Sequence, residues 1–298
     1  MPEQPLVSVI MNCFNGEKYL RKALDSVLAQ TYSNWELIFW DNQSTDQSLE
    51  IFRSYDDPRF KYFHAANHTL LYEARNYAIS RSQGEFVAFL DVDDWWDPEK
   101  LEKQIPLFND AEVGLAYGNY WFENERKGTR KVAHRKQLPS GRILNELLKQ
   151  YVVGLLTIVI RRQALESLDH PFDPRYHIIG DLDLTVRLAA IWELACVQEP
   201  VASYRWHAGN ESSVHNERHI QELETWYEEM QSHLVISQQP GLQRQGDLIL
   251  YLKTMNYITN NKILEALKVY FKLPICREKL KLLVALVVPK QILNMLRA

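Results

Sequence analysis

Three aspartates follow directly after a run of five apolar residues. The run FVAFL, residues 86–90, leads into Asp91, Asp93 and Asp94. An uninterrupted apolar run is typical of a strand buried on both faces of a parallel sheet, and such sheets bind ligands at the carboxyl ends of their strands. Neighbouring carboxylates repel one another unless a cation or hydrogen-bond donors offset their charge, and oxygen ligands favour Mg²⁺ or Mn²⁺. The pattern therefore predicts a metal-assisted ligand site, and a helix-capping loop is the structural alternative.

A second acidic pair opens a predicted helix in the segment HIIGDLDLTVRLAA. Asp181 and Asp183 precede an apolar face that includes Leu184 and Leu188, so both carboxylates belong to the first turn. A carboxylate in that position can stabilise the helix through its dipole, or it can accept a proton as a general base. The residues alone leave both readings open.

Strand and helix patterns alternate from residue 6 to residue 90. Buried strands are predicted at 6–11, 35–40, 60–63 and 86–90, with amphipathic helices between them. This alternation is typical of a right-handed, doubly wound α/β sheet, in which the loops after the first, second and fourth strands open on one edge. Asn15 is placed to cap the first helix, and Ser44 with Gln47 has the spacing of a capping box.

The pattern changes beyond Trp96. Trp95 and Trp96 are expected to open a helix, where they could stack on a sugar or pack in the core. The mostly basic segment 123–136 is interpreted as an exposed loop that is either solvated or in contact with an anionic acceptor. Further patterns predict helices at about 98–108 and 143–148 and strands at 113–122 and 155–160.

Composition limits the class of protein. The 298 residues are 46% hydrophobic, which suits one large domain or one domain with an appendage. The N-terminus lacks a basic start followed by a long apolar run, and no stretch approaches the length of a membrane span, so a cytoplasmic protein is expected. Cys13, Cys196 and Cys276 are far apart, which argues against a disulfide framework and a structural zinc site.

The C-terminal residues 215–298 read as helices with a charge of their own. Residues 272–298 contain six Lys or Arg and one Glu, giving +5, against −9 for the rest of the chain. The apolar face comprises Leu280, Leu283, Val284 and Val287, flanked by basic residues. This composition suits a helix in the interface of an anionic membrane. Docking on the catalytic domain, or on a second subunit in a homo-oligomer, is the alternative.

Four blocks in order resemble the family 2 inverting glycosyltransferases, which have the GT-A fold. They are VSVIMNCFNGEKYL, WELIFWDNQSTD, EARNYAISRSQGEFVAFLDVDD and FDPRYHIIGDLDLTVRLA, and together they cover roughly residues 5–190. YRWHAGNESS, residues 204–213, resembles the segment that follows the sheet in this family. The resemblance implies a mostly parallel sheet sandwiched by helices in a catalytic domain of residues 1–214. That domain would have a nucleotide-binding half at about 1–97 and an acceptor half at about 98–214, and a helical extension would follow it at 215–298.

The resemblance also implies a role for each matching residue. Asp181 matches the catalytic base, and Arg75 matches an arginine beside the ribose or diphosphate of the donor, with a surface ion pair as its alternative. His207 is a further candidate for the metal or the diphosphate. The nucleotide base would lie against Cys13, Phe14, Asp41 and Asn42, and the metal and ribose against Asp93 and Asp94, with Asp91 supporting them.

Three positions depart from the family pattern. Many relatives have proline at Asn12, an acidic residue at Asn42 and glutamate at Gly180. An amide at position 42 could still donate and accept hydrogen bonds, but the identity of the nucleotide base becomes uncertain. A uridine nucleotide is the expectation because it is the commonest choice in the family.

The implied reaction moves a sugar from a nucleotide-diphosphate donor to a hydroxyl of a glycan or lipid-linked saccharide. Mg²⁺ or Mn²⁺ would neutralise the leaving diphosphate, and a carboxylate would deprotonate the hydroxyl that attacks from the opposite face. The expected setting is surface polysaccharide or lipopolysaccharide synthesis, with no nucleic-acid partner. The rival functions are a non-catalytic nucleotide-sugar or glycan-binding module and a metal-dependent phosphoesterase.

Overall fold

A computed structural model of the protein describes residues 4–207, 209–210, 216–275 and 277–287. The chain forms two compact units, Met1–Leu144 with Tyr151–Ala208 and Asn145–Gln150 with Gly209–Ala298. The strands are β1 (Val7–Cys13), β2 (Trp35–Asp41), β3 (Phe60–His64), β4 (Phe86–Phe89), β5 (Trp95–Trp96), β6 (Val113–Asn124), β7 (Thr129–Val132), β8 (Val159–Arg161) and β9 (Glu193–Trp206). The α-helices are α1 (Leu20–Leu28), α2 (Ser48–Arg53), α3 (Leu71–Ser80), α4 (Lys100–Gln104), α5 (Leu144–Lys149), α6 (Arg162–Glu166), α7 (Gly180–Ala189), α8 (Asn216–Met230), α9 (Leu242–Thr259), α10 (Ile263–Tyr270) and α11 (Arg277–Val287).

The described strands of the first unit form one mixed sheet in the order β3-β2-β1-β4-β8-β6-β9-β5, with β7 paired to β6. The longest ladders are parallel, and they join β1 to β2 and β6 to β9. Every residue of β1, β2 and β4 is buried, as expected for strands covered on both faces. The expected doubly wound, mostly parallel architecture is therefore confirmed.

The apolar residues that recur at helical spacing in α1 are buried, as expected. Leu20, Ala23, Leu24 and Val27 are fully buried in the core that β1, β2 and β4 share. This packing fixes the loops at the carboxyl ends of the strands, because each loop leaves a strand that is buried on both sides. The polar residues that follow those strands are consequently held on a rigid scaffold.

Two sequence interpretations beyond Asp94 were wrong. The basic segment 123–136 is not simply a loop, because β6 continues to Asn124 and pairs with β7 in a hairpin. Gly128 has a φ of +60° in the connecting turn, a conformation that glycine adopts without steric cost. Trp95 and Trp96 do not open a helix, since they form β5 and pair with Ser203 and Ala202 of β9.

The predicted caps of the first two helices were also wrong. Neither helix has a side-chain cap, and Tyr19 and Gln47 occupy the two N-cap positions. Instead, the main-chain N–H of Asn15 donates to Ser44 Oγ at 3.0 Å, and Asn15 Oδ1 accepts from the Thr45 N–H at 2.8 Å. These polar residues therefore tie the loop after β1 to the loop after β2.

The second unit is helical and has a small core of its own. Leu282 and Ala285 of α11 are buried in it, together with apolar residues of α9 and α10. Leu280, Leu283 and Val284 remain exposed on the same helix. Three of the four residues predicted to form the apolar face of this helix are therefore exposed. Residues 288–298, which complete the predicted basic tail, lie outside the described residues, as does the side chain of Val287.

None of the described helices combines the length and the apolar character that crossing a membrane requires.

Candidate active site

The ends of β1 and β2 place the four residues expected at the nucleotide base side by side. Cys13 pairs with Asp41 in the parallel ladder, and the Asn42 N–H donates to the Cys13 carbonyl at 2.8 Å. Asp41 is buried, and its carboxylate accepts from the Ser44 N–H and the Tyr62 hydroxyl, both at 2.7 Å. Burial raises the pKa of the Cys13 thiol. Phe14 is half exposed, so the loop after β1 presents an aromatic ring to solvent.

The Asn42 side chain bonds to the protein itself. Its Nδ2 donates to the Thr69 carbonyl at 2.8 Å, and its Oδ1 accepts from the Thr69 N–H at 3.2 Å. The Asn42 carbonyl lies 2.9 Å from Nδ1 of His68, whose ring packs against Phe14 with centroids 4.4 Å apart. Asn42 therefore holds the segment that carries His68. Sequence reasoning missed His68, and a histidine in the loop before the EARN motif was the available signal.

Arg75 is buried on α3 rather than exposed in a surface ion pair. Its Nη2 lies 2.5 Å from Asp91 Oδ1, and only 3% of the Arg75 side chain is exposed. The Asp91 carboxylate is more open, with 37% of its side chain exposed. A buried guanidinium thus offsets part of the acidic charge that follows β4.

The other two aspartates contact Arg205 near the end of β9 and His207 just after it. Asp93 Oδ2 lies 3.0 Å from His207 Nε2. The Arg205 N–H donates to Asp94 Oδ1 at 2.8 Å, and Arg205 Nε donates to the Asp93 carbonyl at 2.9 Å. Burial and the neighbouring carboxylates raise the pKa of Asp93, and they raise that of Asp94 well above its ordinary value. Arg205 and His207 of the 204–213 block are thus partners of Asp93 and Asp94.

Arg205 is a site residue that sequence reasoning missed. Its guanidinium carbon lies 4.5 Å from the Tyr19 ring centroid and 4.8 Å from that of Trp95. These aromatic contacts restrict a side chain that would otherwise be flexible. Arg205 therefore fixes the position of the Asp93–Asp94 loop, and its place two residues before His207 was the available signal.

The donor atoms at this site determine whether it could bind a divalent cation. In the described part of the chain, no three or more His, Cys, Asp or Glu side chains converge on one point. Asp93 and His207 nevertheless bring one carboxylate oxygen and one imidazole nitrogen together. Mg²⁺ commonly binds through one or two protein ligands while substrate phosphates and water complete its shell. The pair fits a cation held in that way, whereas Asp91 and Asp94 are engaged by Arg75 and Arg205.

Asp181 begins α7 and is partly buried. Burial raises the pKa of its carboxyl group, and the positive charge of Arg75 opposes that shift. Asp183 is placed differently, because Arg187 Nε and Nη2 both donate to its Oδ2, at 2.8 and 2.7 Å. Asp183 therefore forms a structural ion pair within α7, and Asp181 is the better candidate for a proton acceptor.

Comparison with known proteins identifies the chain's relatives. The sequence model described as Glycosyl transferase family 2 matches residues 8–168. The chain is 36% identical over 167 residues to the Escherichia coli protein named UDP-Glc:alpha-D-GlcNAc-diphosphoundecaprenol beta-1,3-glucosyltransferase WfgD. It is 32% identical over 171 residues to the putative teichuronic acid biosynthesis glycosyltransferase TuaG of Bacillus subtilis. Each match covers 56% of this chain, and they cover 64% and 67% of those relatives.

A solved structure shows the same fold. The mannosyltransferase PcManGT from Pyrobaculum calidifontis, in complex with GDP-Man and Mn²⁺, superposes with a TM-score of 0.65 at 15% identity. The superposition covers 99% of this chain and 79% of the other. This likeness agrees with the expected GT-A architecture. Together with the family match over residues 8–168, it shows that the chain is an enzyme of glycosyltransferase family 2.

Proposed function

We propose that the protein is a metal-dependent inverting glycosyltransferase that uses a UDP-sugar. Its acceptor is a hydroxyl of a glycan or lipid-linked saccharide in the synthesis of a surface polysaccharide or lipopolysaccharide. The names of WfgD and TuaG support this setting, because one specifies a UDP-glucose donor with a diphosphoundecaprenol-linked acceptor and the other specifies teichuronic acid. The observation that carries the proposal is the buried Arg75, whose guanidinium bonds to Asp91 directly after β4 and so provides a fixed positive charge at this edge of the sheet.

In this proposal residues 1–97 hold the donor. Phe14 offers an aromatic face for the nucleotide base, and the base would lie beside the strand ends that carry Cys13, Asp41 and Asn42. Arg75 provides a fixed positive charge for ribose or diphosphate oxygens, and Asp93 is also placed for the ribose. The Asn42 amide already bonds to Thr69. In this proposal the main-chain groups of the loops after β1 and β2 therefore form the hydrogen bonds to the edge of the nucleotide base.

Residues 98–214 supply the acceptor side. The Asp181 carboxylate takes the proton of the acceptor hydroxyl as that oxygen attacks the anomeric carbon from the face opposite the diphosphate. One displacement without a protein nucleophile inverts the anomeric configuration. Asp93 and His207 would hold a divalent cation, which when bound would supply Lewis-acid stabilisation for the charge of the leaving diphosphate.

A donor panel tests the proposed function. The full chain is incubated with Mn²⁺, a lipid-linked saccharide acceptor and each of several nucleotide sugars, and the released nucleotide is measured. Release that requires both the acceptor and one UDP-sugar supports the proposal. Donor binding without release would identify a binding module, and hydrolysis of simple phosphate esters without an acceptor would identify a phosphoesterase.

We also propose that the helical unit binds the cytoplasmic face of an anionic membrane. Exposed apolar side chains of α10, α11 and the segment between them are accompanied by exposed lysines. Each basic residue near an anionic leaflet contributes about 1 kcal/mol, and insertion of the apolar side chains adds to it. The apolar members are Ile263, Leu264, Phe271, Ile275, Leu280, Leu283 and Val284, and the lysines are Lys268, Lys272 and Lys281.

Replacing Leu280 and Val284 together with glutamate is expected to lower vesicle binding at least about 10-fold. The double substitution removes apolar contacts and adds charges that the anionic lipid repels. Sedimentation with phosphatidylglycerol-containing vesicles at low salt measures the bound fraction. Leu234→Glu is the matched control, because Leu234 is an exposed leucine of the same unit that lies between α8 and α9 and therefore on neither α10 nor α11. A full chain that stays in the supernatant contradicts the proposal, and a double variant that loses a dimer instead favours self-association.

A further inference from the structure

The Tyr72 hydroxyl lies at the first turn of α7. Tyr72 belongs to α3 and is buried. Its hydroxyl donates to the Ile178 carbonyl at 2.9 Å and accepts from the Asp181 N–H at 3.3 Å. The same hydroxyl lies 3.4 Å from Asp181 Oδ1. One phenol thus contacts the main chain on both sides of Gly180 and the carboxylate that follows it.

Gly180 allows this arrangement. A Cβ atom at that position would lie 2.6 Å from Cδ2 and Cε2 of Tyr72, closer than real Cβ contacts come. The Tyr72 ring therefore fills the space that a side chain at position 180 would need. Because the obstacle is a buried ring rather than the end of a flexible chain, a larger residue there must displace Tyr72 or α7.

The ring is held by its other neighbours. It stacks on Phe172 with centroids 5.1 Å apart and an interplanar angle of 26°. The guanidinium carbon of Arg75 lies 5.1 Å from the same ring. A buried ring with these contacts keeps its hydroxyl in one place, which is what a residue that orients another group requires. Tyr151 does not share this contact, because its hydroxyl lies 3.2 Å from Thr185 Oγ1.

We propose that Tyr72 is the positioning residue of the base Asp181. Its phenol, accommodated by Gly180, sets the first turn of α7 so that the Asp181 carboxylate points at the acceptor hydroxyl. The inference rests on the proposed function, since it assigns a partner to the base of that reaction. A base that is misplaced by a fraction of an ångström loses rate without losing substrate binding.

Tyr72→Phe tests this role because it removes only the hydroxyl. We expect kcat for sugar transfer to fall about 10-fold while the KM for the donor changes less than about twofold. Tyr77→Phe is the matched control, since Tyr77 lies on the same helix with its exposed hydroxyl 3.0 Å from Glu73 Oε1. That control is expected to keep the wild-type kcat. Equal kcat values for Tyr72→Phe and wild type overturn the inference.

A double-mutant cycle separates positioning from a general loss of structure. In an Asp181→Asn background, Tyr72→Phe is expected to leave the residual rate unchanged, because the residue that the phenol positions no longer acts as a base. Multiplicative losses would show that Tyr72 acts independently of Asp181 and would contradict the inference. A wild-type protein that transfers no sugar overturns the proposed function, and this inference with it, whereas an active wild type with an unaffected Tyr72→Phe overturns only the inference.

Discussion

Asp181→Asn is expected to lower the rate of sugar transfer by at least about 100-fold while leaving donor affinity within about twofold. Asparagine keeps the size of the side chain but cannot accept the hydroxyl proton. The donor contacts in the proposal come from residues outside α7, so binding should survive the substitution. Single-turnover transfer and calorimetric titration of UDP measure the two quantities separately.

Asp183→Asn is the matched control, because it makes the same chemical change two residues away in the same turn. Asp183 accepts two hydrogen bonds from Arg187, so its substitution should lower the melting temperature by removing the charge of a buried pair. The folded protein should keep most of its transfer rate. If Asp181→Asn kept a near-normal rate of sugar transfer and Asp183→Asn lost it, Asp183 rather than Asp181 would be the catalytic base.

The catalytic edge of the sheet could be predicted because it depends on local patterns. Mostly apolar runs mark β1, β2 and β4, and parallel pairing brings the residues after each run to one edge. This is why the 91–94 aspartates, Cys13 and Asp41 fall in one region although they are distant in sequence. Register between buried strands is strongly constrained, so a correct strand assignment already places these residues together.

The interactions that complete the site could not be predicted because they join distant segments. Asn15 has the local chemistry of a helix cap, yet its side chain bonds to Thr45 across the gap between two loops. The strand β9 escaped detection because its sequence ELACVQEPVASYRW is interrupted by polar residues and Pro200. Pro200 pairs where the register with β6 shifts, so the strand continues through an irregularity that no alternating pattern reveals.

Sequence patterns also could not predict the contact between Tyr72 and Gly180. The family resemblance sets Gly180 against a glutamate in many relatives, so the sequence alone indicates only a missing side chain. The structure shows that the ring of a residue more than a hundred positions earlier occupies that space. The Tyr72 ring of α3 fills the space beside Gly180 of α7. This contact joins two helices that are far apart in sequence, so the local sequence of neither helix could predict it.

Asp93→Asn is expected to remove the part of UDP binding that depends on a divalent cation. The side chain keeps its size and can still bond to His207, but it loses the charge that attracts a cation. Without a cation, the carboxylates of Asp91 and Asp93 repel the diphosphate. Titration of UDP into chelator-treated wild-type protein should therefore give weak binding, and added Mn²⁺ should strengthen it at least about 10-fold. The Asp93→Asn variant should bind UDP with the same affinity with chelator and with Mn²⁺, because it has lost the charge that attracts the cation.

Asp97→Asn provides the matched control for this experiment. Asp97 lies four residues after Asp93, and its Oδ1 accepts a hydrogen bond from the Glu99 N–H. The Oδ1 of an asparagine at this position can accept the same bond. This variant should keep the full effect of Mn²⁺, whereas His207→Ala should lose part of it if the imidazole also binds the cation. Equal UDP affinity of the wild type with chelator and with Mn²⁺ would contradict metal-dependent donor binding. Loss of the Mn²⁺ effect in Asp94→Asn but not in Asp93→Asn would instead place the cation at Asp94, which would then have to exchange its bond to the Arg205 main chain for the metal.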